Sequence, residues 1–405
     1  MNSSLSYDQL KEAAQTYGTP LYVYHAEKMV DQYKSLLNHF SNKSVCFFYA
    51  CKALTNIHVL DVFKKAGCNI DCSSINEVKL AIHVGVDPSN ILYTSNSVDF
   101  EEIKEAVSLG VHINIDSLSN LEKFGITYGN RYPVGVRIRP DIMAGGNLKI
   151  STGHDKSKFG IPAKQIKELK ALQEKYKINI ATLHIHTGSE IKDVAVFLQS
   201  AEVFEQMLPD FPTVNILDFG GGFKVPYQPN EKGTDIALLG AEVNKIMVAL
   251  SAKAGRNLTA WFEPGKYLVS EAGFFITQVN VLKQSGDICF AGINSGLNHL
   301  IRPMFYDAYH HIDNLSDPTK ELKKYAVVGN ICETDTFAWE RPLPSIAEGD
   351  LLVFYNAGAY GYEMSSNYNA RFKPAQVLFE DGKHRLISRT DTMEDLLALQ
   401  MPLNK

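Results

Sequence analysis

The stretch "VCFFYACKALTNIHVL", residues 45–60, runs apolar from Val45 to Ala50, delivers a single lysine at Lys52 and then changes period. The first part reads as a strand buried on both faces, and the part after Asn56 repeats its apolar residues at helical spacing. Together they make one strand–helix unit. The same alternation returns along the chain, in "CNIDCSS" (68–74), "NILYTS" (90–95), "VHINIDS" (111–117) and "YPVGVRIRP" (132–140). It continues in "INIATLHIHTGS" (178–189), "VNILDFGGG" (214–222) and "LTAWFEPG" (258–265). Helical segments lie between the runs, such as "NIHVLDVFKKAG" and "SINEVKLAIHVG", and several end in glycine. Eight such repeats predict an α/β fold, a parallel (β/α)8 barrel of the TIM type, rather than a doubly wound sheet.

After residue 270 the texture changes. "GFFITQVNVLK", "YAVVGNICE", "DLLVFYNAGAY", "AQVLFEDG" and "HRLIS" come one after another without long intervening helices, as in an antiparallel β domain. The early run "PLYVYH" (20–25) is placed to add a strand to that domain. The expected division is a segment at 1–30 that joins the β domain, a barrel at 31–270 and an antiparallel β domain at 271–405.

Composition narrows the function classes. A net charge of −5 leaves no footprint for nucleic acid or anionic lipid, and no apolar segment is long enough to span a membrane. The opening "MNSSLSYDQLKEAAQTYG" lacks the layout of a signal peptide. Six scattered cysteines suit neither a disulfide framework nor a zinc site, so the expectation is a reduced cytoplasmic protein without a metal.

In a parallel barrel, chemistry gathers at the carboxyl ends of the strands. Unusual residues fall there repeatedly: Lys52, Asp71 and Cys72, Arg137 and Arg139, His184 and His186, the three glycines 220 to 222, and Glu263. Taken alone, Lys52 also reads as a solvated strand end, the glycines as a tight turn and Glu263 as a surface carboxylate. Their shared placement favours chemistry. A lysine in a partly dry pocket can form an imine, and bare backbone N–H groups after the seventh strand can cradle a phosphate. With a histidine to stack on a ring and a carboxylate to face a ring nitrogen, the set fits pyridoxal 5′-phosphate.

"FYACKALTN", "HIHTGSE", "LDFGGGF" and "EPGKYLV" resemble the alanine-racemase-type barrel enzymes that use pyridoxal phosphate (fold type III), in their decarboxylase branch. "STGHDKSKFGI", "LNHLIRPMFYDAYHHI", "GNICETD" and "GAYGYEMSSNYNARFKPAQVL" resemble the members that convert meso-diaminopimelate to L-lysine and CO2 in lysine biosynthesis. The resemblance implies that Lys52 carries the cofactor and His186 stacks on its ring. Ser189, Gly220, Gly221, Gly222, Gly265, Lys266 and Tyr360 would hold the cofactor, chiefly its phosphate, and Glu263 would face the ring nitrogen. Cys332 would protonate Cα, and Glu333 would meet the distal amine. Arg302 and Tyr306 would grip the distal carboxylate, with Lys266 and Tyr360 also lining the substrate site. It further implies a homodimer whose partner subunit supplies the cysteine loop.

Three positions depart from the family pattern: Lys266 stands where arginine is usual, Arg139 where asparagine is common and Asn294 where aspartate is common. A second reading within the same chemistry therefore stays open, a decarboxylase of D-ornithine or D-lysine, L-ornithine or carboxynorspermidine. Arg302 and "SSNYNAR" favour a substrate with a distal carboxylate.

Overall fold

The computed structural model describes residues 5–40, 44–140 and 157–403. The chain divides into two compact units, one formed by Val30–Val225 and Lys232–Leu268, the other by Met1–Met29, Pro226–Glu231 and Val269–Lys405.

Strand β1 (Leu21–His25) belongs to the second of these. The first holds β2 (Val45–Ala50), β3 (Asn69–Cys72), β4 (Ile91–Thr94), β5 (His112–Ile115) and β6 (Val134–Arg139). After a two-residue strand, β7 (Ile161–Pro162), come β8 (Ile180–His184), β9 (Ile216–Asp218) and β10 (Thr259–Phe262). Apart from β7, which pairs only with β6, these eight strands pair in parallel all the way round, β5 joining β6 and β10 joining β2. The (β/α)8 barrel expected from the eight repeats is therefore the observed fold.

Strand periodicity sorts each run between two faces. Cys46 and Phe48 point inward, where Phe48 packs with Leu92, Trp261 and Ile216. Phe47 and Tyr49 point outward; Tyr49 stacks on Phe63 of the helix Ile57–Lys65 with ring centroids 4.1 Å apart. Burying each such aromatic stabilises the barrel by roughly 1.5–3 kcal/mol. The helices are delimited locally: Asp99 accepts the Glu101 N–H at 2.9 Å to start Phe100–Leu109, and Gly110 in the left-handed region ends it.

The second unit is built on a mostly antiparallel sheet. It comprises β1 with β11 (Gly273–Ser285), β12 (Ile288–Ile293), β13 (Ile312–Asn314), β14 (Leu322–Val328), β15 (Thr336–Pro344), β16 (Leu351–Phe354), β17 (Ala375–Glu380) and β18 (Lys383–Ser388). The order is β15-β14-β12-β11-β1-β17-β18, with β16 on β11 and β13 on β16. Only β1–β17 and β12–β14 run parallel. The β17–β18 hairpin turns on Asp381 and Gly382, both at positive φ, as the twist of a two-residue hairpin requires. Leu21 and Val23 of β1 are completely buried among Phe274, Ile276, Val353 and Val377. Residues 226–231 join this unit through the Tyr227 hydroxyl, 3.1 Å from Ser270 Oγ, and the Asn356 amide, which donates to the Pro226 carbonyl at 2.9 Å. Among the described residues no helix is long and apolar enough to cross a membrane.

Candidate active site

Inward positions change character along the barrel. Beyond the apolar layer of Phe48, Leu92 and Trp261, the next inward residues are polar and buried: Asp71, Thr94, Asn114, Arg137, His184, Asp218 and Glu263. They occupy the carboxyl ends of their strands or the residue just after. Charge is costly in such a place unless it is paired or hydrogen-bonded, so the layer is held together by mutual contacts. Thr94 Oγ1 donates to Glu263 Oε1 at 3.2 Å, and the Asn114 amide donates to Thr94 Oγ1 at 3.2 Å and to Asp218 Oδ2 at 3.3 Å. Asp218 Oδ1 accepts the Gly220 N–H at 2.9 Å.

Lys52 lies in a single 3-10 turn, Cys51–Ala53, closed by the Leu54 N–H on the Cys51 carbonyl and braced by the Thr55 hydroxyl on the same oxygen. Its Nζ stands 3.7 Å from Asp71 Oδ2; the lysine side chain is 39% exposed and the aspartate wholly buried. That asymmetry is what an amine open to a ligand on one side and anchored on the other requires. No hydrogen bond from the described residues reaches either Asp71 oxygen. Burial pushes the Asp71 carboxyl well above the ordinary carboxylate range, Glu263 pushes the same way, and Lys52 opposes them. Glu263 is likewise raised by burial, with Asp218 adding to it and Lys52 and Arg137 opposing.

His184 and His186 are both driven well below the usual imidazole range by burial, aided by the charges of Arg137 and Lys52. The 3.6 Å approach of His184 Nε2 to Glu263 Oε1 is therefore a contact with a neutral ring, not an ion pair. His184 pairs in register with Arg137, whose charge also disfavours a cation among the His184, Asp218 and Glu263 donors. His186 Nδ1 accepts the Gly221 N–H at 3.1 Å, which leaves its proton on Nε2.

The glycines after β9 are required by close approach. A Cβ on Gly220 would lie 2.5 Å from His186 Nδ1, and one on Gly222, already at φ +98°, would lie 2.2 Å from the Gly188 carbonyl oxygen. The result is two interlocked loops, joined by the Ile191 N–H on the Gly222 carbonyl at 2.9 Å, with Ser189 half-buried on one of them. Gly265 sits so that a Cβ would meet the Ala50 carbonyl at 3.0 Å, and the Ala50 N–H donates to Pro264, seating the end of β10 against that of β2. Lys266 Nζ makes a close ion pair with Glu190 Oε1.

The structure thus brings Lys52, Glu263, His186 and the three glycines into one unit. Sequence reading missed Thr94, Asn114 and Asp218. Their signal was a polar residue at an inward position near the strand end, in "ILYTS", "INIDS" and "ILDF".

The remaining expected residues lie in the second unit, in two groups. Arg302, buried on a short helix that also carries Tyr306, donates to the Tyr227 hydroxyl at 2.9 Å and stacks over that ring at 4.8 Å, with His310 Nε2 3.4 Å away. Among the described residues it makes no ion pair. Cys332 and Glu333 form an exposed group with Tyr368 and Asn369. The Tyr368 hydroxyl donates to Glu333 Oε1, and the Asn369 amide donates to Cys332 Sγ at 3.3 Å. The tyrosine bond holds the Glu333 carboxyl below its usual range, so it is anionic at neutral pH. Asn369 and Ala370 both adopt positive φ, an uncommon conformation for side-chain-bearing residues. Tyr360 also has positive φ. Asn294 donates to the Thr19 carbonyl at 3.0 Å, and Arg139 Nη1 to the Ser157 carbonyl at 2.8 Å. Of "STGHDKSKFGI", residues 151–156 lie outside the described residues.

Comparison with known proteins agrees with this geometry. Residues 26–270 match the family described as pyridoxal-dependent decarboxylase, pyridoxal binding domain. A diaminopimelate decarboxylase of Methanothermobacter thermautotrophicus is 37% identical over 402 residues, covering 96% of this chain and 93% of that protein. A crystal structure of a diaminopimelate decarboxylase superposes with a TM-score of 0.91 at 30% identity, covering 99% of this chain and 98% of the other. A second, from M. jannaschii in complex with L-lysine, gives 0.89 at 28% identity, covering 97% and 94%.

Proposed function

The chain belongs to the pyridoxal-dependent decarboxylases, and on that premise we infer that it decarboxylates meso-diaminopimelate to L-lysine and CO2. The residues present fit the cofactor. Buried Glu263 lies in a layer that a protonated ring nitrogen would help neutralise, and the Gly220–His186 approach leaves room for backbone N–H groups but not for a side chain. When bound, pyridoxal phosphate supplies the electron sink for the charge left on Cα as CO2 departs.

Each of the chain's own groups then has a task. Lys52 holds the cofactor through Nζ, steadied by Asp71. Glu263, kept in place by Thr94, would hold the proton on the cofactor's ring nitrogen, and neutral His186 would stack on its ring. Ser189, Gly220, Gly221, Gly222, Gly265, Lys266 and Tyr360 hold the phosphate end. Arg302 and Tyr306 bind the distal carboxylate, Glu333 the distal ammonium, and the Cys332 thiol delivers a proton to Cα, an effect of the order of 10²–10⁴-fold in rate. We assign the Cys332–Glu333 loop to the partner subunit's site in a homodimer, a role that its exposure on the single chain supports. The six free thiols support a cytoplasmic setting, and formation of L-lysine would give the reaction a place in lysine biosynthesis.

The observation that carries the substrate choice is Arg302: a buried guanidinium with tyrosine and histidine around it and no ion pair among the described residues. Such a group calls for an anion, and its planar fork suits a carboxylate. Arg302→Met is expected to lower kcat/KM for meso-diaminopimelate by at least about thirtyfold, while D-lysine, which lacks the distal carboxylate, loses little. Equal losses on both, with an unchanged melting temperature, would make Arg302 structural and remove the basis for the assignment.

A further inference from the structure

The motif "GNICETD" carries Cys332 and Glu333 on the loop between β14 and β15 and ends on Asp335. Cys332 and Glu333 are exposed, whereas Asp335 is only 3% exposed. Burying a carboxyl group is costly unless it is hydrogen-bonded, and this one is bonded to backbone. Its Oδ2 accepts the Leu297 N–H at 3.2 Å and the Ile331 N–H at 3.4 Å. The Gly329 N–H donates to the Asp335 carbonyl at 2.9 Å, and the Asp335 N–H donates to the Glu333 carbonyl at 2.9 Å. One residue therefore ties the loop on both sides of Cys332. The fit is close: a Cβ on Gly329 would lie 2.0 Å from Asp335 Oδ2, and one on Gly296 would lie 2.7 Å from it.

Leu297 belongs to the turn that follows β12, and this turn holds two segments at once. On one side it takes the loop, through the Leu297 N–H on Asp335 and the Asn330 N–H on the Ser295 carbonyl at 2.9 Å. On the other it takes the segment that leads to Tyr368 and Asn369. There the Ser366 N–H donates to the Asn298 carbonyl at 2.8 Å, and the Asn298 amide donates back to the Ser366 carbonyl at 3.4 Å. The two segments meet again at the thiol, where the Asn369 amide donates to Cys332 Sγ at 3.3 Å.

We propose that Asp335 is a positioning residue for the proton donor: its buried carboxyl group closes the loop and pins it to the turn after β12, so that the Cys332 thiol stays where Tyr368 and Asn369 meet it. This rests on the preceding assignment of Cys332 as the group that protonates Cα. Asp335 itself touches neither substrate nor cofactor; it acts by fixing where the sulfur sits, and a shift of about 1 Å at such a group can cost up to about a hundredfold in rate.

The test is a double-mutant cycle on the full chain loaded with pyridoxal phosphate, following L-lysine release from meso-diaminopimelate. Asp335→Ala is expected to lower kcat on the order of thirtyfold, with cofactor absorbance unchanged. Asp335→Asn, which keeps an acceptor oxygen, should stay within about threefold of wild type. In a Cys332→Ala background, removing Asp335 should cost less than about threefold further, because the group it positions is already gone. Asp335→Glu moves the acid one methylene outward into a tightly packed place and is expected to fall like alanine; it takes alanine's place in the cycle if Asp335→Ala does not fold. An unchanged kcat in Asp335→Ala, or the same cost with and without the thiol, would show that Asp335 merely stabilises the domain. A Cys332→Ala variant as active as wild type would instead overturn the assignment of the thiol beneath the inference.

Discussion

Asp218 shows how one residue can report on the whole polar layer. It ends β9, accepts a backbone N–H from the glycine turn and an amide N–H from Asn114, and is wholly buried. Burial lifts its carboxyl from 3.8 to about 6. The folded chain therefore binds this proton more tightly than the unfolded chain does. Its contribution to stability is fully present below about pH 4 and is lost as pH rises through about 6. For the cofactor-free protein, the difference in unfolding free energy between wild type and Asp218→Asn should shift against the wild type by roughly 2 kcal/mol between pH 4 and pH 7. Urea unfolding across that range checks it, and a pH-independent difference would mean that Asp218 is ionised throughout. Lys52 was legible in the sequence because a lone lysine against an apolar run is conspicuous. Asp218 was not, because an aspartate before glycines reads first as a turn residue; only closure of the barrel sets it beside Asn114.

The site depends on elements mainly through their ends. Each barrel strand is short, and the turn after it decides where the reactive atoms sit: a 3-10 turn after β2, a glycine turn after β9, a Pro-Gly step after β10. The glycine positions differ sharply in their tolerance of a side chain. Gly222→Ala combines a left-handed φ with a Cβ 2.2 Å from the Gly188 carbonyl, whereas Gly255→Ala shares the left-handed conformation at a helix end but meets nothing within 4 Å. Gly255→Ala should cost about 1 kcal/mol with cofactor affinity intact. Gly222→Ala should cost more than about 2 kcal/mol and weaken cofactor binding, since backbone must move. Denaturation and cofactor titration of both variants separate the two, and equal costs would show that the loop pair yields easily. Barrel strands were readable because runs buried on both faces stand out against amphipathic helices. In the second sheet β15 was not, since Pro342 and Pro344 disguise it; they are tolerated because β15 lies at the sheet edge.

Across the whole molecule, the change from strand–helix alternation to consecutive strands was visible because the two textures have different periods. The segment 226–231, six residues with two prolines, carries no period, and its membership in the second unit shows only in the folded chain, through contacts such as those of Tyr227 with Ser270 and Arg302 and of Asn356 with Pro226. The fold and the cofactor chemistry thus arise from patterns along the chain. The substrate rests on single side chains, Arg302 and Glu333 foremost. The most direct test is a panel of meso-diaminopimelate, D-lysine, D-ornithine, L-ornithine and carboxynorspermidine, offered to purified protein with pyridoxal phosphate while CO2 and product are quantified. L-lysine is expected from meso-diaminopimelate, with kcat/KM on the order of a hundredfold above any other member. Faster turnover of a substrate without the distal carboxylate would contradict it.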